Sequence, residues 1–298
     1  MSVNMFRKVP RTASEIWRNN RRLPEDNPIV VYSMRKVGST TITKTLRNAG
    51  NTVYKQHCID KSLNAEFSHA LSRAGLAQQH WVNDGRIFRK RLEKWRNTRG
   101  GDKSKGRLKV FSFVKDPLAV ALSDYFMHVN ELFPAIRSTN HLDNVADLVQ
   151  HFRSLICSIL DESHVDPVSD YLCLLLNMPA YWFERELRST LDIDVLKAPF
   201  DTDKGYTIYR GTDADLALIR TDCLSRVGEE AIGALLGEPA TLQVANVAMK
   251  KRNGDEYEEL VSTLRLPSSV LDEFYGQAWL GHCFLQPEIA AFKQKWSE

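Results

Sequence analysis

Residues 29–41 limit the possible folds of this chain more than any other segment. The apolar run Ile29–Tyr32 is typical of a buried strand, and it leads into a short loop that contains Arg35, Lys36 and one glycine. A helix-type segment, residues 42–49, follows directly. Strand, tight loop and helix N-terminus in this order are typical of α/β proteins that bind phosphate-like anions, because free N–H groups and the positive end of the helix dipole face the ligand.

The side chains of this loop suit an anion. Gly38 lets the backbone approach a ligand closely, Lys36 brings a mobile positive charge, and three hydroxyls follow. The predicted anion loop comprises Arg35, Lys36, Val37, Gly38, Ser39, Thr40 and Thr41. It is not the loop in which Gly-Lys-Ser/Thr holds magnesium, because here the lysine precedes the only glycine. We therefore predict a nucleotide-type site without a metal. The alternative is an ordinary strand–helix connection whose hydroxyls cap the helix.

A second apolar run, residues 110–114, ends in a comparable way. It leads into Lys115-Asp-Pro117, and Ser123 stands eight residues after the lysine. Proline suits the first turn of a helix, so Lys115 should lie at the carboxyl end of a strand and Ser123 about two turns into the helix. Ligands of open α/β sheets bind at the carboxyl ends of strands. We therefore predict that the two loops bind two anionic groups of one ligand.

Both loops resemble those of sulfotransferases that use 3′-phosphoadenosine 5′-phosphosulfate (PAPS). Lys36-Val-Gly-Ser-Thr-Thr41 looks like their 5′-phosphosulfate loop. Lys115-Asp-Pro117 with Ser123 and Tyr125 resembles their 3′-phosphate motif, which usually has arginine where Lys115 stands. Val120 occupies the position of a second arginine in many members. The resemblance implies PAPS as co-substrate, bound by residues 35–41, Lys115 and Ser123, with no metal.

Further likenesses over residues 28–296 are closest to bacterial capsular-polysaccharide sulfotransferases. They comprise Val53-Tyr-Lys-Gln-His57, Trp182-Phe-Glu-Arg-Glu186, Ile193-Asp-Val195 with Pro199-Phe200, Lys204-Gly-Tyr206 and the stretch from His282 to Trp296. The run from Leu216 to Leu224 resembles a later strand of the wider PAPS-dependent family, from which Thr221 and Asp222 depart. The resemblance implies transfer of a sulfuryl group to a hydroxyl of a saccharide or another hydroxylated acceptor. A non-catalytic nucleotide- or polyanion-binding protein on the same fold is the alternative, and a kinase-like phosphotransferase comes third.

The sequence predicts a three-layer, P-loop-like α/β fold with a central parallel sheet and a largely helical C-terminal half. We expect strands at residues 29–34, 52–56 and 109–115 and helices at residues 40–49 and 117–130. The expected organisation is a flexible basic arm over residues 1–27 and a single domain over residues 28–298. A basic helical insertion occupies residues 60–107 of that domain.

Residues 86–107 carry most of the charge asymmetry. They contain ten Lys/Arg against two acidic residues, a net charge of +8, whereas the whole chain has +3 and its remainder therefore −5. The segment is either a solvated helix face or the wall of a groove that attracts an anionic acceptor such as an acidic polysaccharide. Nucleic acid is not expected as a partner, since no base-reading motif accompanies the cations.

Composition further predicts a cytoplasmic protein. The five cysteines are odd in number and lack metal-ligand spacing, which favours reduced thiols. No apolar run approaches the roughly 20 residues of a membrane span. Residues 1–27 lack the apolar core of a signal peptide. The oligomeric state is left open by the sequence.

Transfer to a hydroxyl requires a base and a positive charge, and we predict His57 and Lys36 for these roles. Lys36 would neutralise the charge that grows on the departing nucleotide oxygen. His57 follows the strand after the loop helix, which places it on the same sheet edge, and the usual pKa of histidine suits a base. A core or surface role for His57 stays open. The alternative bases are Glu66, His69 and Glu184.

Overall fold

The computed structural model describes residues 23, 27–99, 106–161, 166–243 and 253–298. The predicted N-terminal arm, residues 1–27, lies almost entirely outside these ranges, and so do residues 100–105 of the basic insertion. In the part of the chain that is described, no helix is both long enough and apolar enough to cross a membrane.

Five strands form one sheet in the order β2-β1-β3-β5-β4. Their bounds are β1 Ile29–Tyr32, β2 Val53–Gln56, β3 Leu108–Val114, β4 Tyr206–Arg210 and β5 Ala214–Arg220. The first three and β5 pair in parallel, whereas β4 pairs antiparallel with β5. The antiparallel edge strand β4 was not predicted, and it follows from the short connection over residues 211–213, which only an antiparallel pair can use.

The composition of the central strands reflects their position. Every residue of β1 and β5 is buried, and such unbroken buried runs are typical of strands covered on both faces. The parallel register aligns Val30 with Tyr54 on one side and Val110 on the other. The carboxyl ends of the parallel strands therefore meet at one edge, where the predicted loops leave the sheet.

Helices cover this sheet and complete a three-layer α/β fold. Their bounds are α1 Ser39–Asn48, α2 Lys61–Arg73, α3 His80–Arg99, α4 Pro117–Met127, α5 Pro134–Thr139, α6 Val145–Leu160, α7 Pro167–Leu176, α8 Met178–Tyr181, α9 Ser189–Leu191, α10 Leu224–Leu236, α11 Gly254–Thr263, α12 Ser268–Phe274, α13 Ala278–Cys283 and α14 Gln286–Trp296. The predicted helix 117–130 ends earlier, and its path continues as a π-helical segment, His128–Leu132. A second π-helical segment is Trp182–Arg188.

The basic insertion folds as α2 and α3, and α3 packs closely on the loop after β2. A Cβ atom built on Gly85 would lie 1.6 Å from the carbonyl oxygen of Cys58. Only glycine permits this approach of the two backbones. The helix is thereby placed directly against the residues that follow His57.

Candidate active site

The predicted anion loop joins β1 to α1 through two residues in the left-handed region. Lys36 has a φ of 63° and Gly38 a φ of 79°, and α1 begins at Ser39. Among the described residues, no side chain caps this helix, so first-turn N–H groups stay available to an anion, although that of Thr41 donates to the Gly38 carbonyl oxygen at 3.1 Å. A left-handed lysine costs about 1–2 kcal/mol, and strain of this kind is found most often at functional sites.

The residue that directly follows β5, Thr221, contacts this loop. The Thr221 hydroxyl donates to the Val37 carbonyl oxygen at 2.9 Å. The Thr221 methyl group would lie 3.2 Å from a Cβ atom on Gly38. Glycine at position 38 therefore suits the backbone angle, and a larger residue there would also force the Thr221 methyl group to shift slightly. Sequence reasoning did not predict this contact of Thr221.

Arg35 is directed into the protein. Its Nε atom donates to Asp124 Oδ1 at 3.0 Å, and its guanidinium lies 5.2 Å from the centre of the Trp81 ring. The side chain is only 8% exposed, so its charge is satisfied by Asp124 within α4. Nearby His128 donates from Nδ1 to the Asp124 carbonyl oxygen at 2.7 Å. Burial lowers the pKa of His128 to about 4, so this ring is neutral.

Lys36 and Ser123, which belong to the two separate motifs, line one pocket. Its other lining residues are Phe126, Met127, Glu131, Asn253, Gly254 and Tyr257. Tyr257 lines this pocket together with Ser123, so α11 reaches the second motif. Sequence reasoning missed the three residues from α11 and its N-terminus. The sequence feature that could have pointed to them is the basic triplet 250–252, which directly precedes them and lies outside the described residues.

Lys115 follows β3 and is half-buried, but it does not line this pocket. Burial lowers the pKa of its ammonium; Asp116 opposes this effect, and the nearby Lys295 adds to it. Asp116 itself caps α4 by accepting from the Leu118 N–H at 3.0 Å. The same carboxylate accepts from the Trp296 indole at 2.9 Å and from the Tyr275 hydroxyl. Asp116 thus joins α14 by a hydrogen bond to the corner between β3 and α4.

His57 lies just beyond β2 with a defined tautomer. Its Nδ1 atom is 2.7 Å from the Ser33 carbonyl oxygen and must therefore carry the hydrogen. The unprotonated nitrogen is then Nε2, which has no hydrogen-bond partner among the described residues. Burial lowers the pKa of the ring well below its usual value, and the charges of Lys55 and Arg35 act in the same direction. His57 is thus a neutral imidazole, and its pKa is lower than the usual value on which the sequence-based prediction of a base relied.

The alternative bases lie on the surface. Glu66 is paired with Arg185 at 2.6 Å, and Glu184 is paired with Arg188 at 2.9 Å. His69 is exposed on α2. Of the four candidates, His57 alone follows a strand at the edge that carries the anion loop. In the described part of the chain, no three or more His, Cys, Asp or Glu side chains gather into a group that could hold a metal ion.

A buried carboxyl group braces the loop that follows His57. Glu186 Oε2 accepts from the Ile59 and Asp60 N–H groups at 3.0 Å each, and also from the Tyr32 hydroxyl. The other oxygen, Oε1, is buried and has no hydrogen-bond partner among the described residues. Burial raises the pKa of Glu186 to about 7. The arrangement connects the second π-helical segment to the ends of β1 and β2.

Glu186→Gln should change how stability depends on pH. Because the folded-state pKa is about 7 against an ordinary 4.5, the proton on Glu186 stabilises the fold fully below pH 4.5, and this contribution is lost as the pH rises through 7. The free energy of unfolding of the native protein should therefore fall relative to Glu186→Gln by up to about 3 kcal/mol between these limits. Urea unfolding between pH 5 and 8 measures it. Exposed Glu184→Gln is the control; parallel curves for the native protein and Glu186→Gln would contradict a protonated Glu186.

Residues 174–285 match the model of the NKWYS family, described as "Putative capsular polysaccharide synthesis protein". The match covers less than half of the chain and includes Glu186, β4 and β5, but neither Lys36 nor Ser123. No curated protein and no solved structure matches the chain.

Proposed function

We propose that the protein is a sulfotransferase that moves a sulfuryl group from PAPS to a hydroxyl of a saccharide. The observation that carries the proposal is the shared pocket of Lys36 and Ser123, which come from the two motifs that resemble the 5′- and 3′-phosphate loops. The similarity to a capsular polysaccharide synthesis family supports a saccharide as acceptor. The uncapped N-terminus of α1 supports an anionic donor.

The proposed chemistry depends on positioning and on charge. The acceptor oxygen bonds to sulfur while the bond from sulfur to the phosphate oxygen breaks, and negative charge grows on that phosphate oxygen. The ammonium group of Lys36 neutralises this charge, and the first N–H groups of α1 hold the oxygens of the group in transfer. The proton of the acceptor hydroxyl passes to His57 Nε2, whose lone pair is free because Nδ1 holds the hydrogen.

The protein should bind 3′-phosphoadenosine 5′-phosphate far better than AMP, because only the former reaches both motifs. Loss of one charge-assisted contact costs about 1.5–3 kcal/mol, which is roughly tenfold or more in affinity. Calorimetry measures both affinities, and Ser123→Ala should narrow the difference between them. The exposed Ser268→Ala is the matched control. Equal affinities of the native protein for the two nucleotides would contradict a role of Ser123 and Lys115 in nucleotide binding.

A thermal-shift screen distinguishes this proposal from its rivals, because a ligand raises the melting temperature according to its affinity. 3′-Phosphoadenosine 5′-phosphate should stabilise the protein most, with or without EDTA. If ATP with magnesium stabilised it most, the protein would be a phosphotransferase. Strong binding of the bisphosphate without transfer from PAPS to any saccharide in a broad panel would favour a non-catalytic binding protein.

A further inference from the structure

We propose that the solvent face of α3 is a docking surface for an acidic polysaccharide. The surface consists of Arg86, Lys90 and Lys94, here called the basic row. That this polymer is the acceptor rests on the proposed function, whereas the binding itself does not. The row lies on a helix that contacts the candidate active site but contributes no residue to the pocket of Lys36 and Ser123.

The three cations of the basic row lie along one side of the helix. Residues four apart are separated by about 6 Å along the axis and share a face, so the row spans about 12 Å. All three side chains are exposed, and none has an ion-pair or hydrogen-bond partner among the described residues. Three unpaired charges in a line are suited to a polymer that repeats its negative charge.

Other cations of the same segment serve the fold. Arg89 donates to the Ile59 carbonyl oxygen at 3.2 Å, Arg96 pairs with Asp213, and Arg107 pairs with Asp215 at 3.0 Å. These contacts account for cations that the sequence could not separate from the rest. Among the described cations of residues 86–107, those of the basic row are the ones exposed to solvent.

The surroundings of the row favour a saccharide over a nucleic acid. The aromatic residues of α3 are Trp81, Phe88 and Trp95, and all three are buried on the opposite face of the helix. The exposed face of α3 therefore offers no aromatic ring on which bases could stack. Asn83 and Asn97 flank the row, and their amides can donate to and accept from sugar hydroxyls. Glu93 is the acidic side chain beside the row, and its carboxylate lies 3.9 Å from Arg89.

The buried face of α3 contacts the candidate site and so places the basic row near it. Trp81 stacks on Arg35 of the anion loop, and Gly85 touches the carbonyl of Cys58, the residue after His57. A polymer on the row therefore lies about one helix diameter, roughly 10 Å, from the loop that carries the proposed base.

The test measures binding of the full chain to alginate, a linear polyuronate, with neutral dextran and duplex DNA as comparisons. Alginate should bind, and its affinity should fall as the salt concentration rises. Dextran should not bind, and DNA should bind more weakly than alginate. Replacement of the row by Arg86→Gln, Lys90→Gln and Lys94→Gln should weaken alginate binding tenfold or more. The control Arg153→Gln, Lys197→Gln and Lys204→Gln removes the same charge from three positions outside α3 and should have little effect.

Three results would overturn the docking surface: no alginate binding at low salt, equal weakening by both triple variants, or tighter binding of DNA than of alginate. The thermal shift with 3′-phosphoadenosine 5′-phosphate, measured on the same variants, should stay unchanged. If that nucleotide fails to stabilise the native protein while alginate binding still depends on the row, the proposed sulfotransferase fails and the docking surface stands.

Discussion

Lys36→Ala should lower turnover by about 10²–10³-fold, the usual effect of removing one group that stabilises charge in a transition state. The charge that Lys36 meets develops mainly as the bond to the nucleotide breaks, so nucleotide affinity should fall less than turnover. Lysine and alanine bear the same penalty at a φ of 63°, so the substitution isolates the ammonium group from the backbone. Transfer of radiolabelled sulfur from PAPS to an accepted saccharide measures turnover, and calorimetry measures affinity.

Lys36→Arg is the matched variant, because it retains the positive charge at the same backbone position. It should keep more activity than Lys36→Ala at equal stability. If Lys36→Ala lost only affinity and kept its turnover at saturating PAPS, Lys36 would serve as an anchor for the nucleotide and not as a group that acts in the transfer.

His57→Asn should lower the rate of transfer by about 10²–10⁴-fold, the range usual for loss of a general base. The amide of asparagine can still donate to the Ser33 carbonyl oxygen, as His57 Nδ1 does at 2.7 Å, but it cannot accept a proton at neutral pH. Affinity for 3′-phosphoadenosine 5′-phosphate should not change, since His57 does not line the pocket of Lys36 and Ser123.

The pH dependence gives an independent check on His57. A base must be deprotonated to act, and burial lowers the pKa of His57 well below 6.5. The native rate should therefore rise with pH on the acidic side and be level at neutral pH, and His57→Asn should lack this rise. Full turnover in the variant would show that His57 is not the base and would favour Glu66, His69 or Glu184 instead. Loss of folding in both His57→Asn and His57→Gln would make His57 a structural residue.

Local patterns were sufficient to predict the first βα unit. The buried run of β1, the glycine at position 38 and the hydroxyls at the start of α1 lie within thirteen consecutive residues, where sequence order fixes spatial order. The α/β fold with its central sheet is confirmed. The ends of elements were less accurate: β1 stops at Tyr32 and not at residue 34, because the chain turns into the anion loop two residues earlier.

Contacts between distant segments could not be predicted in the same way. Arg35 was predicted as a ligand of the anion, yet it is buried against Asp124, which stands 89 residues away. The partnership of Val37 with Thr221 spans 184 residues. Neither residue type nor spacing reveals such pairs, because packing of the whole domain decides them.

The second motif shows how tertiary packing modifies a family pattern. Ser123 lies in the pocket with Lys36, as expected for two loops that share a ligand, whereas Lys115 stands apart from that pocket. Val120, in place of an arginine, is 4% exposed. An apolar side chain suits such an environment, and an arginine there would need a partner for its charge. The roles of Lys115 and Ser123 in nucleotide binding stay predictions.

The carboxylate of Asp116 has a consequence for the biogenesis of the protein. It joins the start of α4 to the indole of Trp296, a contact across 180 residues of sequence. A chain emerging from the ribosome has its anion loop early, but the corner behind Lys115 cannot close until Trp296 has been made. Contacts of such long range form slowly. The contacts at the corner between β3 and α4 are therefore completed only after residue 296 has been synthesised.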